Sequence, residues 1–177
     1  MPMRGGRRQL RRESRRQGTG RPTRYRMREK IISIGDDFVI ETAEGQRAFR
    51  IDGKALRIRN TIVVRTLDGR ELYRVQERKI RLKDTYVIQR GRETVARLQK
   101  ALVTPLRDRF SVEIPGGPPL HVQGNVLDHE YTITRQGKPV AAVSKRWFRI
   151  RDTYGVEVLP DEDHAFVLAL VAAIDTV

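Results

Sequence analysis

The last 17 residues of the chain, 161–177, differ in hydrophobic pattern from everything before them. From Ala165 to Ile174 every side chain is apolar, so the polar stripe of an amphipathic helix is missing. Asp161 follows Pro160 and suits the N-cap of a helix, where acidic side chains are favoured. A helix that is apolar all round is buried all round or lies in a membrane. This apolar run is much shorter than the roughly 20 residues that cross a bilayer, so we expect a helix enclosed by the rest of the chain.

Upstream of this segment, the chain has the pattern of short β-strands. Apolar and polar residues alternate, or β-branched residues cluster, and turns such as Asp52-Gly53 and Asp68-Gly69 separate the runs. Many short strands joined by such turns predict an antiparallel meander that closes as a barrel or a sandwich. Amphipathic helices between the strands are absent, which argues against a parallel sheet. The runs are 31–34, 38–42, 47–51, 55–59, 61–66, 70–77, 80–90, 93–102, 109–114, 119–123, 130–135, 139–150 and 154–159.

The predicted strands and the terminal helix fit each other physically. A closed sheet has no edge strands to protect, and an apolar helix about 10 Å across is a suitable filler for a wide barrel. We therefore predict a mostly β protein in which a closed antiparallel β-barrel surrounds a central apolar C-terminal α-helix. Alternation predicts that the interior is lined by Phe38, Ile40, Ile62, Val64, Leu72, Val75, Ile80, Leu82, Val112, Ile114, Val140, Val143, Phe148 and Ile150.

One unit of the sequence recurs. Residues 69–88 align without a gap on residues 137–156, and the tripeptide Asp-Thr-Tyr at 84–86 recurs at 152–154. Each copy has a turn, a strand, a link and a second strand, which predicts a repeated hairpin-like unit. We interpret the tripeptide as structural, because Asp serves turns and Tyr packs at barrel ends. A paired binding site is the alternative.

Positive charge is concentrated at the N-terminus. The chain carries 36 Lys and Arg against 22 Asp and Glu, a formal net charge of +14. Residues 1–28 contain 11 Arg and one acid and have little to bury, which predicts a disordered arm followed by a domain over 29–177. Three interpretations stay open: a basic arm for nucleic acid or anionic lipid, a solvated tail, or an extension upstream of a start at Met27. The paired arginines of the arm are Arg7, Arg8, Arg11, Arg12, Arg15 and Arg16.

The sequence offers little catalytic or metal-binding chemistry. It has no Cys and only three His, which excludes thiolate sites and argues against a His cluster. Because no nucleophile, base and oxyanion donor can be assembled, we expect no enzyme, no cofactor and no metal. His121 and His129 flank Asp128 and are interpreted as solvated turn residues, with a metal or acid–base site as the alternative. The acidic run 161–163 is interpreted as helix capping, with Ca²⁺ binding as the alternative.

Two basic rows are candidate anion-binding surfaces. If 139–150 is one strand, alternation places Phe148 and Ile150 on one face and a basic row with Trp147 on the other. The corresponding stretch of the first repeat gives a second row. We interpret both rows as a solvated barrel exterior, with an anion-binding stripe as the alternative. The candidate residues are Lys79, Arg81, Lys83, Arg146, Trp147, Arg149 and Arg151.

Several motifs, in their order along the chain, resemble the LURP-one-related family from about residue 28 to 175. They include IGDDFVIE from Ile34, FRIDGKALRIR from Phe49, QGNVLDHEYTI from Gln123 and VAAVSKRWFRIRDTYGVEV from Val140, before a final apolar helix ending in AAID. The resemblance implies the tubby C-terminal-like fold, related to the phospholipid scramblase fold, with a twelve-stranded barrel around a C-terminal helix and no catalytic residue. Tubby proteins bind phosphoinositides and scramblases act at membranes, but no binding residue of theirs is carried over to this sequence.

The function predicted from these observations is binding to an anionic partner, with phospholipid headgroups ahead. The alternatives are nucleic-acid association through the arm, and a structural or protein-interaction module without a ligand. No small-molecule substrate is indicated. Because no apolar run is long enough for a signal peptide or a membrane span, we expect a cytoplasmic protein that meets lipid only peripherally.

Overall fold

Twelve antiparallel strands enclose the C-terminal α-helix of the protein, whose structure is a computed structural model. The structure describes residues 20–29, 37–53, 55, 61–80, 83–99 and 108–176, without the side chains of 79, 80, 83, 84 and 108–110. The elements are β1 (Thr23–Arg28), β2 (Phe38–Thr42), β3 (Arg47–Ile51), β4 (Thr61–Arg65), β5 (Glu71–Ile80), β6 (Lys83–Arg90), β7 (Glu93–Gln99), β8 (Asp108–Glu113), β9 (Leu120–Asn125), β10 (Glu130–Arg135), β11 (Lys138–Ser144), β12 (Thr153–Val158) and α1 (His164–Ile174).

The sheet is a closed meander. Each strand pairs with its neighbours in sequence, and the barrel closes where β1 pairs with β12. The closing register runs from Thr23 opposite Val158 to Arg28 opposite Thr153. The predicted closed, antiparallel, twelve-stranded barrel is confirmed.

The helix α1 is buried around its whole circumference. Nine of its eleven residues are buried, and it packs mainly against β4 and β5, with further contacts to β6 and β12. Full burial of a Val, Leu or Ile side chain is worth about 1.5–3 kcal/mol. The five such side chains of α1 therefore contribute on the order of 10 kcal/mol. The prediction of an apolar helix enclosed by strands is confirmed.

The helix begins later than predicted. Its N-cap is Asp163, whose Oδ1 accepts a hydrogen bond from the backbone N–H of Phe166 at 2.9 Å. The residues before it form a turn instead, in which the N–H of Glu162 donates to the carbonyl of Leu159 at 3.2 Å. The prediction of an Asp161 cap is therefore wrong, because this turn takes up the first acidic residue of the run.

Side chains on most strands follow the predicted alternation, with two differences. On β5, Tyr73 shares the buried face with Val75, while Leu72 is only half-buried. The prediction that Phe148 and Ile150 line the interior is wrong, because neither belongs to a strand: Phe148 is half-buried against Gly155, and Ile150 is 51% exposed. The side chains of Ile80 and Leu82, which are also predicted to line the interior, lie outside the described residues. Leu72 differs because it is out of step with Val75 in the alternation of β5. The residues after Ser144 differ because β11 ends there.

The barrel begins earlier in the chain than predicted. Residues 23–28, which were assigned to the basic arm, form β1. Tyr25 and Met27 are buried in the core, and on the outer face Nη2 of Arg24 lies 2.5 Å from Oε2 of Glu157. The domain boundary at residue 28 is therefore wrong, because the last arginines of the arm alternate with core residues of a closing strand.

Residues 1–19, with all six paired arginines from Arg7 to Arg16, lie outside the described residues. A chain starting at Met27 would lack residues 23–26, which are most of β1. The interpretation of Met27 as the natural start thus conflicts with a closed barrel.

We predict that a chain beginning at Gly20 is as stable as the full chain, whereas one beginning at Met27 is less stable by more than about 5 kcal/mol. The shorter chain loses the buried ring of Tyr25 and leaves Glu157 buried without its arginine. Urea unfolding followed by circular dichroism measures both chains. Equal unfolding midpoints would contradict the role of β1 in closing the barrel.

Candidate functional site

The barrel has two rims that the direction of α1 distinguishes. At the proximal rim, where α1 begins, tight turns join β4 to β5, β6 to β7 and β10 to β11. At the distal rim, where α1 ends, lie the β9–β10 turn and the longer link between β11 and β12. Because the helix runs from one rim to the other, groups on the two rims belong to separate surfaces.

The candidate row at 146–151 does not lie on one strand. β11 ends at Ser144, and a 3₁₀ turn then spans Lys145–Trp147. Ser144 ends the strand itself, because its Oγ accepts the backbone N–H of Arg146 at 3.2 Å. Strand alternation therefore does not apply beyond Ser144, and the predicted outward row is wrong. Its members instead occupy the link at the distal rim: Arg146, Trp147, Arg149 and Arg151.

Trp147 and Phe148 lie on the same side of this link, contrary to the prediction of opposite faces. A Cβ on Gly155 would lie 2.7 Å from Cε3 of Trp147 and 3.0 Å from Cε2 of Phe148, so both rings cover this glycine on the outer face of β12. The guanidinium of Arg24 lies 4.4 Å from the centroid of Trp147. That of Arg26 lies 5.3 Å from the centroid of Phe148. These cation–π contacts clamp the link onto the barrel wall, so Trp147 holds the fold rather than reaching for a ligand.

The other candidate row, at 79–83, does not lie on one strand either. Lys79 belongs to β5 and Lys83 to β6, which pair across a hairpin with Ile80 opposite Lys83. Arg81 lies outside the described residues. The sequence equivalence of the two rows thus does not extend to their structure, because the second repeat replaces the end of a strand with a 3₁₀ turn.

A patch at the distal rim combines exposed apolar and basic side chains, and we call it the distal patch. Leu127 in the β9–β10 turn is 71% exposed and Ile150 in the β11–β12 link is 51% exposed. The two loops are adjacent, since Oγ of Ser144 donates to Oε1 of Glu130 at 2.8 Å where the turn meets the link. The patch consists of Leu127, Arg146, Arg149, Ile150 and Arg151.

The charges of the distal patch are only loosely paired within the protein. The arginine of the link nearest the turn, Arg146, lies 3.6 Å from Glu130 and is 66% exposed. Arg151 lies 3.8 Å from Asp152 and is 95% exposed. By contrast, Lys145 is bound to Glu29 at 2.9 Å, and this hydrogen bond raises the pKa of Lys145. Exposed pairs of the first kind contribute little to stability, so these arginines remain available to an external anion.

The histidines flanking Asp128 do not form a site together. His121 is exposed on β9, whereas His129 is buried. Nε2 of His129 lies 2.5 Å from Oδ1 of Asp175 at the end of α1, and its ring stacks on Tyr154 with centroids 4.2 Å apart. The interpretation of both histidines as solvated is thus wrong for His129, which ties the β9–β10 turn to the helix. Among the described residues, no group of three or more His, Asp and Glu side chains is arranged to hold a metal ion.

The tyrosines of the recurring tripeptide lie at the same rim. The hydroxyl of Tyr86 donates to the carbonyl of Thr176 at 3.1 Å. Tyr154 is fully buried, and burial raises its pKa well above the usual range, with the charge of Asp175 adding to the effect. Tyr86 thus holds the helix end directly, and Tyr154 stacks on His129, which bonds Asp175. These contacts support the structural interpretation of the tripeptide.

At the proximal rim, acidic residues before α1 are engaged by arginines. Oε1 of Glu162 accepts from Arg135 at 2.8 Å. Oδ2 of Asp163 accepts from the Tyr73 hydroxyl at 2.6 Å and from Nη2 of Arg90 at 2.9 Å. The helix cap and the arginine ion pairs thus account for these two carboxylates without a metal ion.

This cluster borders a groove with a volume of about 320 Å³, which we call the proximal groove. It lies between the beginnings of β5 and α1 and the end of β6. Nη2 of Arg90 also donates to the Tyr73 hydroxyl, so one guanidinium nitrogen serves two acceptors. The groove is lined by Arg70, Glu71, Leu72, Tyr73, Arg90, Asp163 and Ala165.

Neither Leu127 nor the proximal groove was identified from the sequence. Leu127 had a detectable signal, since it is a large aliphatic residue in a turn between Asn125 and Asp128, where burial is not expected. The groove had none, because Asp163 is far in sequence from Tyr73 and Arg90 and meets them only where α1 packs into the barrel. In the described part of the chain, no helix has both the length and the apolar character needed to cross a bilayer.

We predict that Tyr73→Phe reduces the loss of stability at high pH. Burial, reinforced by the hydrogen bond to Asp163, raises the pKa of Tyr73 to about 12, against about 10 in an unfolded chain. The stability that protonated Tyr73 contributes to the folded state is therefore complete below about pH 10 and is lost as the pH rises toward about 12. The shift corresponds to about 2–3 kcal/mol.

Urea unfolding at about pH 8 and about pH 12 measures this contribution. The native protein should lose about 2–3 kcal/mol more than Y73F between the two pH values, since the other tyrosines are present in both. Equal losses would show that Tyr73 ionises as freely in the folded state as in the unfolded state.

The similarities to known proteins agree with the observed architecture. The family model described as LURP-one-related matches residues 23–175, from the first residue of β1 to the residue after α1. Among solved structures, the chain is similar to the X-ray structure of an Arabidopsis thaliana protein, AT5G01750, with a TM-score of 0.63 and 17% identity. The match covers 88% of this chain and 90% of that one, and it shows the fold alone. The curated proteins contain no match. With the family model covering the whole barrel and its helix, the chain belongs to the LURP-one-related family.

Proposed function

We propose that the protein is a non-enzymatic module that binds the surface of anionic phospholipid membranes through its distal patch. The observation that carries this proposal is the exposure of Leu127 and Ile150 beside three arginines on adjacent loops. Three large apolar side chains are exposed among the described residues, and these are the two most exposed. Their grouping on one rim, rather than scatter over the barrel, points to an interaction surface.

The two kinds of side chain suit the two layers of a membrane surface. Leu127 and Ile150 can enter the boundary between headgroups and acyl chains, where burial of apolar area is favourable. Residues 145–152 contain four basic residues and one acid, a net formal charge of +3. A basic side chain near an anionic leaflet is worth about 1 kcal/mol, so three arginines and two apolar anchors together give useful affinity without a membrane-spanning helix.

The loops that carry the patch are held in place by the fold. The cation–π contacts of Trp147 and Phe148 fix the β11–β12 link on the barrel wall. The bond between His129 and Asp175 fixes the β9–β10 turn on the helix. A surface held in this way loses little conformational freedom on binding.

The test compares cosedimentation with phosphatidylcholine vesicles, with and without phosphatidylserine, for the full chain and two multiple variants. L127S/I150S removes the apolar anchors, and R146Q/R149Q/R151Q removes the charges. Each should retain the native melting temperature and weaken binding to anionic vesicles, the arginine variant by about 100-fold. L67S is the matched control, since Leu67 is 46% exposed on the opposite rim, and it should bind as the native chain does.

Salt and the arm provide the remaining comparisons. Binding should weaken as salt rises, because exposed charges are screened. A chain beginning at Gly20 should still prefer anionic over neutral vesicles. Binding that is lost in the Gly20 chain, kept in both patch variants and competed by duplex DNA would contradict the proposal and favour nucleic-acid association through the arm.

A further inference from the structure

We infer that the proximal groove binds a small organic anion, either a carboxylate or a phosphate monoester. Its volume of about 320 Å³ lies at the lower end of the range for small-molecule sites, about 300–1,000 Å³. The groove lies on the rim opposite the distal patch, so this inference is independent of membrane binding. It follows from the orientation of one arginine, the position of a second arginine and the apolar part of the lining.

Arg90 is oriented toward the groove before any ligand arrives. Its Nη2 bonds both the Tyr73 hydroxyl and Oδ2 of Asp163, and its guanidinium carbon lies 5.0 Å from the centroid of the Tyr73 ring. A guanidinium carries five N–H donors, and only those of one nitrogen are used in these two bonds. The side chain is nevertheless 59% exposed, so its remaining donors face solvent at the groove and are held in a fixed direction.

The carboxylates of the groove are already neutralised by neighbours. Glu71 accepts two bonds from Arg74, at 3.0 and 2.7 Å, and these bonds lower the pKa of Glu71. Asp163 accepts from Tyr73 and Arg90 and caps α1 through the N–H of Phe166. This cap also occupies the helix N-terminus, so the arginines rather than the helix are the binding groups.

Arg70 lies beyond the ion pairs of the groove. In that network Arg65, Arg74 and Arg90 pair with Asp52, Glu71 and Asp163, and the nearby charges of Asp68 and Glu93 act on Arg70 and Arg90 from outside the lining. The arginine beyond those paired to Asp52, Glu71 and Asp163 is Arg70, which is exposed in the β4–β5 turn. Arg70 and Arg90 line the same groove, so an anion between them receives charge-assisted hydrogen bonds from two directions.

The rest of the lining favours an organic anion over an inorganic one. Leu72 and Ala165 supply aliphatic surface, and the ring of Tyr73 forms a further wall. A ligand with a short apolar or aromatic group beside its charge would bury that group here and gain binding energy that phosphate alone cannot. The groove therefore selects for charge at one end of the ligand and apolar surface at the other.

The test is titration calorimetry of the full chain with phenyl phosphate and benzoate as anionic probes and benzyl alcohol as the uncharged analogue. At least one anion should bind saturably and more tightly than the alcohol. R70Q and R90Q should each weaken that binding by at least about tenfold, since a hydrogen bond to a charged group is lost. R92Q is the matched control, because Arg92 is exposed in the adjacent β6–β7 turn and does not line the groove. It should bind as the native chain does.

Melting temperatures separate binding from folding, and vesicles separate a free anion from a lipid headgroup. R70Q should have the same melting temperature as the native chain, so its effect on binding is direct even if R90Q is destabilised. It should also retain native binding to phosphatidylserine vesicles. Anions that bind no better than benzyl alcohol, or an R92Q effect equal to that of R70Q, would overturn the inference. So would loss of vesicle binding by R70Q, which would reassign the groove to lipid headgroups.

Discussion

The constraint on which the rest of the structure depends is the absence of any polar face on α1. Because nine of its eleven residues are buried, the helix needs apolar neighbours on every side, and a closed barrel supplies them. Closure in turn requires β1 to pair with β12, which places Tyr25 and Met27 in the core. The same closure brings Arg24 onto Glu157 and Trp147. The clamp that holds the β11–β12 link on the outer wall is thus a consequence of enclosing the helix.

The sequence was sufficient for the architecture because its signals are physical and local. A helix without a polar stripe that is too short to span a membrane must be enclosed by apolar neighbours, and strand alternation identifies the residues that contact it. The errors arose where a local rule was extended too far. Alternation failed at Ser144, whose hydroxyl caps a 3₁₀ turn, and composition failed at residues 23–28, where arginines alternate with buried residues. The cluster of Tyr73, Arg90 and Asp163 could not be found, because its members meet only through tertiary packing.

The two rims use the same arginine-rich composition in different ways. Lys145 is held by Glu29 at the distal rim, and Arg24 is held on the barrel wall by Glu157 and Trp147. Arg146 and Arg151 remain exposed at the distal rim, where Leu127 and Ile150 also lie. At the proximal rim, carboxylates orient the arginines around a groove. Net charge alone therefore says little about this family member. Which arginines are held by internal partners, and what lies beside those that are not, determines the surfaces a partner can use.

The most direct test of the enclosed helix is native-state hydrogen exchange of the α1 amides, measured with increasing urea. Since the helix cannot leave the barrel without exposing its apolar circumference, amides between Leu168 and Ile174 should exchange only through global unfolding. Their opening free energies and urea dependence should equal those of the most protected amides of β4 and β5. Exchange of the helix at a lower free energy, while those strands stay protected, would show that the barrel is stable without it and would contradict this account.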